Sequence, residues 1–135
     1  MTTDTTTSPA AVVQAGFEAF GRGDLATFAD AFHADATWNH RNDDHLGGIH
    51  HGRDGIMAFI TESGALTAGT LRAIPLAVMP GDEGRVAVLV RVSGTRPDGR
   101  VFDDTQILLF VVDGDRVRSV DQFVGDPAAV TAFWA

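Results

Sequence analysis

Val13, Phe17 and Phe20 recur at helical spacing in a segment that opens with Ser8-Pro9. A serine N-cap followed by a first-turn proline predicts a helix there, ending near Gly21–Gly23. Leu25, Phe28, Ala29 and Phe32 then fall at i, i+3, i+4 and i+7 behind Asp24. That spacing predicts a second helix, capped by the aspartate and closed by His33, where a cation suits the helix dipole. "ATWNH" (36–40) reads as a short strand, and the histidine-rich stretch after it as loop. Ile56, Met57, Phe59 and Ile60 form the apolar side of a third helix over about 53–63. Beyond it the period changes to two. Strands are predicted over 66–79, 84–96, 100–112 and 116–124, joined by "PGDEG", "RPDG" and "DGD". The last two joints are Asp-Gly turns between alternating segments, a strong hairpin signal. Asp126-Pro127 starts a short terminal helix with Val130 and Phe133 facing inward.

Helices followed by a meander of long strands mean an α+β fold. The expected architecture is a curved antiparallel sheet of four or five strands with three helices from the N-terminal half on its concave face. Together they enclose a cone-shaped pocket, the kind of concavity that takes small ligands. One domain over 9–135 follows a Thr-rich tail, 1–8, expected to be disordered.

Composition narrows the function classes. The net charge of −8 argues against nucleic acid, which needs a basic face. No apolar run approaches the roughly 18 residues of a membrane span, and "MTTDTTTSP" lacks the regions of a signal peptide. A cytoplasmic location is expected. With no cysteine, disulfides, thiol catalysis and Cys-ligated zinc are excluded, and with no lysine so is Schiff-base chemistry. No Ser-His-Asp order, phosphate-cradling loop or dinucleotide fingerprint is present.

The candidate chemistry lies in "WNHRNDDHLGGIHHGRDG" (38–55), which holds His40, His45, His50 and His51, four of the five histidines. His40, His45 and His50 are five apart and precede any helix, matching neither a helical His pair nor a finger. A loop can gather metal ligands at any spacing, so zinc is an alternative; no metal and no cofactor is expected. Asp43, Asp44 and His45 read as a solvated polar loop, and His51 as a cap or an exposed side chain. His40 lies one strand period from Trp38, so the two share a face. A histidine inside an apolar cavity, oriented by a carboxylate such as Asp104, would be a general base near neutral pH. The competing reading is a buried histidine satisfied by backbone. His50, just before the third helix, is a second candidate at the pocket mouth. Phe17, Phe20, Trp38, Phe59 and Phe110 read as walls. Arg53-Asp54 is expected to hold the loop-to-helix junction, and Arg91, Arg96 and Arg100 to be solvated sheet surface.

"FEAFGRGDLATFADAFHADATWNH" resembles the opening of the NTF2-like, or SnoaL-like, superfamily, whose members include ketosteroid isomerases, scytalone dehydratase and polyketide cyclases. "LGGIHHGRDGIMAFI" is similar to that family's Gly-x-x-x-Gly-Arg-Asp approach to its third helix, and "FVVDGDRVRSVDQFVGDPAAVTAFW" to its closing hairpin and tail. The likeness spans roughly residues 10–134 and is specific for the fold rather than the reaction. Carried over residue by residue, His40 occupies the place of the isomerases' aspartate base. Gly16 and Gln106 stand where their oxyanion hole has a tyrosine and a protonated aspartate. Steroid isomerisation by that route is therefore disfavoured, although Gln106 keeps an amide donor. If Gln106 faces the pocket, strand parity brings Asp104, Leu108 and Phe110 with it. The same alignment turns Val120, Gln122 and Val124 inward and Asp121 outward, and a one-residue slip would reverse that pair. The resemblance implies cofactor-independent acid/base chemistry on a small apolar or cyclic metabolite: isomerisation, dehydration, cyclisation or epoxide opening. His40 and Asp104 would be catalytic. Trp38, His50, Gln106, Gln122, Phe17, Phe20, Phe59, Leu108, Phe110 and Val120 would bind substrate. The alternatives are a ligand-binding protein without chemistry and a pure association module. A homodimer through the outer sheet face is expected.

Overall fold

A computed structural model describes residues 8–135. The expected disordered tail lies outside the described residues except for Ser8, whose hydroxyl accepts from Ala11 N–H and caps helix α1 (Pro9–Gly21). Asp24 caps α2 (Leu25–Asp30) in the same way through Thr27 N–H. The second helix ends sooner than its apolar spacing predicts. The Ala31 carbonyl accepts from Val117 N–H at 2.7 Å. From Phe32 on, the chain is strand β1 (Phe32–Arg41), paired with β6 (Arg116–Phe123). His33 therefore caps no helix; its Nε2 bonds the Asp113 carbonyl across the sheet.

Part of the expected histidine loop is a strand, β2 (Gly48–His51), which runs straight into α3 (Gly52–Leu66). Three long strands follow: β3 (Arg72–Pro80), β4 (Arg85–Thr95) and β5 (Val101–Asp113). Each hairpin turn places a glycine at positive φ (Gly84, Gly99, Gly114), where only that residue is unstrained. The short helix α4 (Pro127–Trp134) closes the chain, capped by Asp126.

The sheet has six strands in the order β2-β1-β6-β5-β4-β3. It is mixed rather than antiparallel throughout, because β1 and β6 run parallel. The antiparallel β4–β5 and β5–β6 pairings make β6 run with β4, and β1 lies along it in the same direction. Helices α1, α2 and α3 lie over one face, and α4 packs against β5. Inward positions alternate along the strands, as in Val86, Val88 and Val90 of β4, all fully buried. These features define an α+β cone with a curved, unclosed sheet.

Candidate functional site

Between the helices and the sheet lies a cavity of about 90 Å³. Apolar spacing on α1 puts Val13, Phe17 and Phe20 on its wall, and α3 supplies Phe59 and Ile60. Strand parity on β5 brings Gln106, Leu108 and Phe110, while Trp38 enters from β1 and Gln122 from β6. Asp121, one residue before Gln122, points away and pairs with Arg41 at 2.9 Å. Gly16 also lines the cavity, and a Cβ there would meet nothing within 4 Å. The void thus reaches the helix backbone.

The polar atoms at the cavity form one directed chain. Trp38 Nε1 donates to Gln122 Oε1 at 2.9 Å, Gln122 Nε2 to Gln106 Oε1 at 2.7 Å, and Gln106 Nε2 to Asp104 Oδ2 at 3.0 Å. An indole can only donate and a carboxylate can only accept, so the two ends fix both amides without ambiguity. Each amide keeps one N–H and one lone pair for another partner. Asp104 also accepts from Gly125 N–H at 2.9 Å and Asp126 N–H at 3.0 Å. A side chain at Gly125 would collide with the Thr105 carbonyl and with Asp104 itself, so the close approach requires glycine.

His40 and Asp104 do not pair, and neither lines the cavity. Asp104 is taken up by the amide chain and the start of α4. The carboxylate bound to His40 is Asp44, with Nε2 to Oδ2 at 2.8 Å and both side chains buried. Asp44 is therefore not the solvated loop residue its neighbours suggest. Its Oδ2 also accepts from Asn42 and its Oδ1 from Leu46 N–H. Burial pushes the Asp44 carboxyl up, but the His40 and Asn42 hydrogen bonds, the His40 charge and Leu46 N–H outweigh it, leaving the group below its ordinary value. Because Asp44 only accepts, the proton between them sits on His40 Nε2. His40 Nδ1 is buried with no hydrogen-bond partner.

The Phe59 ring stands between these features, 5.6 Å from Trp38 and 5.8 Å from His40. His50 stacks on the same ring at 4.3 Å and donates to the Leu46 carbonyl, so it supports the wall rather than the mouth. Val120 is core and not lining. His45 pairs with Glu62 at the surface, and His51 makes no cap bond. Arg53 holds the junction by donating to the Phe32 carbonyl. Arg91 pairs with Asp103 in solvent, but Arg96 and Arg100 reach the last carbonyls of α4, at Phe133 and Ala135. They act as that helix's C-terminal cap rather than as free surface. Sequence reasoning missed Ser63, Leu46 and Trp134 on the cavity wall. Ser63 was within reach, since it continues the 56, 59, 60 face of α3 by one more step.

An α+β cone closed over an apolar cavity by helices on one face of a curved sheet is the NTF2-like fold. The model of the SnoaL-like domain matches residues 13–120, and the chain belongs to that family. It is 32% identical over 124 residues to the uncharacterized protein Rv0034 of Mycobacterium tuberculosis, covering 92% of this chain and 94% of that one. Among solved structures it is similar to Bal32a from a soil-derived mobile gene cassette, with 31% identity, a TM-score of 0.90, and 94% and 96% of the two chains covered. An NTF2-like protein from Burkholderia pseudomallei superposes with a TM-score of 0.83 at 26% identity, covering 96% and 99%.

Proposed function

We propose that the protein binds a small, largely apolar metabolite in the α1–α3 cavity and holds its polar end with the spare N–H groups of Gln106 and Gln122. The observation that carries this reading is the lining: aromatic and aliphatic walls, one fixed amide pair, and no titratable side chain among the described residues that form it. Pockets of this make-up bind by burial and orient by a few polar groups.

A second reading, cofactor-independent acid/base chemistry on the bound molecule, is favoured by the His40–Asp44 dyad. Asp44 fixes the His40 tautomer, and the partnerless Nδ1 is free to take or give a proton. For that chemistry the ligand must reach His40 past Phe59. An isomerisation, dehydration, cyclisation or epoxide opening would suit such a lone base.

One experiment addresses both. The protein is incubated with a metabolite extract, washed, and its bound compounds are analysed by native mass spectrometry. Wild type should retain a small apolar compound that Gly16→Leu, with its side chain in the cavity, does not. If Gly16→Leu retains the same compound, the cavity is not the site. Unaltered recovery after long incubation supports binding alone. Conversion that stops in His40→Gln while retention persists supports the acid/base reading.

The expected homodimer is also proposed here. Leu89, Ile107 and Leu109 stand side by side on the outer face of β4 and β5, opposite the buried valines.

A further inference from the structure

A surface groove of about 580 Å³ runs between the α1–α2 junction, the C-terminal half of α3 and the start of β3. Phe20, Ile60, Leu71 and Ala73 line both the groove and the cavity, so these side chains stand at the boundary between them. The cavity, at about 90 Å³, is smaller than the roughly 150 Å³ void known to take one benzene ring. A ligand larger than a small fragment therefore extends beyond the cavity, and the groove on the far side of those four residues gives it room.

Where it would emerge, the groove carries a single charged side chain among its described lining residues, Arg72. Arg72 is exposed on the first residue of β3, and its Nη1 donates to the carbonyls of Gly69 at 3.1 Å and Leu71 at 2.9 Å. Those bonds tether the guanidinium to the α3–β3 turn. Its Nε and Nη2 have no acceptor, and it pairs with no carboxylate among the described residues, although acidic groups outnumber basic ones along the chain. A tethered guanidinium with a free edge matches the two oxygens of a carboxylate.

We propose that the ligand is an amphipathic carboxylate, with its apolar body in the cavity and its acid group at Arg72 in the groove. This rests on the cavity being the binding site. The test uses hexanoate, octanoate and decanoate, each beside its primary amide, titrated into wild type and Arg72→Gln and followed by two-dimensional amide NMR. Arg72 is exposed, so the variant keeps the fold. The expected result is binding of both series, with the acids about tenfold tighter in wild type and no preference in the variant. The acid preference should also shrink with added salt. Equal binding of acids and amides in wild type, or an acid preference that survives Arg72→Gln, overturns the proposal and leaves the cavity reading standing. Binding of neither series, or shifts confined to residues away from the cavity, overturns both.

Discussion

His40 and Asp44 show how little of a residue's role its local neighbourhood reveals. Asp44 sits among Asn42, Asp43 and His45, a run that reads as solvated. It is nevertheless buried, and its hydrogen bonds hold the carboxyl below the ordinary value despite burial. The sign of the pH effect follows. An unfolded aspartate titrates near about 3.9, and the folded value lies lower, so the stabilisation is complete above that pH and disappears as pH falls through the folded value. Asp44→Asn should cost about 2 kcal/mol at neutral pH. The gap in Tm between wild type and Asp44→Asn should narrow as pH falls below about 4. A gap that persists unchanged into strong acid would show that the charge of Asp44 contributes nothing. Gln106, by contrast, was placed inward by the family resemblance, and strand parity, a local property, then carried Leu108 and Phe110 with it.

At the scale of elements, the polar chain joins β1, β6 and β5 to α4 through one carboxylate. Asparagine at 104 keeps one oxygen but turns an NH2 group toward donors. It therefore cannot serve Gln106, Gly125 N–H and Asp126 N–H together. Asp104→Asn is expected to cost about 2–3 kcal/mol. Hydrogen exchange should place the loosening in Gly125, Asp126 and α4, and uniform loosening across the molecule would contradict this arrangement. Helix α1 offers the opposite case. Gly16 has open space where a Cβ would stand, and glycine inside a helix costs about 0.5–1 kcal/mol relative to alanine. Gly16→Ala should raise the unfolding free energy by that amount, read as a higher urea midpoint with an unchanged m-value. The elements themselves were mostly visible in the sequence. Those misplaced are the end of α2, the strand β2 and the start of β3, which begins at Arg72 rather than 66 because α3 runs on to Leu66; the strands are set by pairing with β6, β1 and β4, which no local period reports.

For the whole molecule, the outer sheet face is where assembly would be decided. Leu89→Glu places a charge among Ile107 and Leu109 and should convert a dimer to monomer in light scattering at the same fold content. If wild type is already monomeric at high concentration, the face has another use. Along the chain, the alternation of β4 and β5, the Asp-Gly turns and the caps of α1 and α2 were determined by the sequence alone, because each depends on residues within a few positions. The likeness of its opening, central and closing segments to one family likewise pointed to the cone. What only the tertiary structure decided depends on distant contacts. The parallel closure of β1 on β6 joins residues some eighty positions apart. That closure sets Gln122 beside Trp38 and Gln106. Asp104 goes to α4, and Asp44 is folded back onto His40. A carboxylate's partner is chosen by which donors the fold leaves unsatisfied beside it, and that choice is made only when the chain has closed.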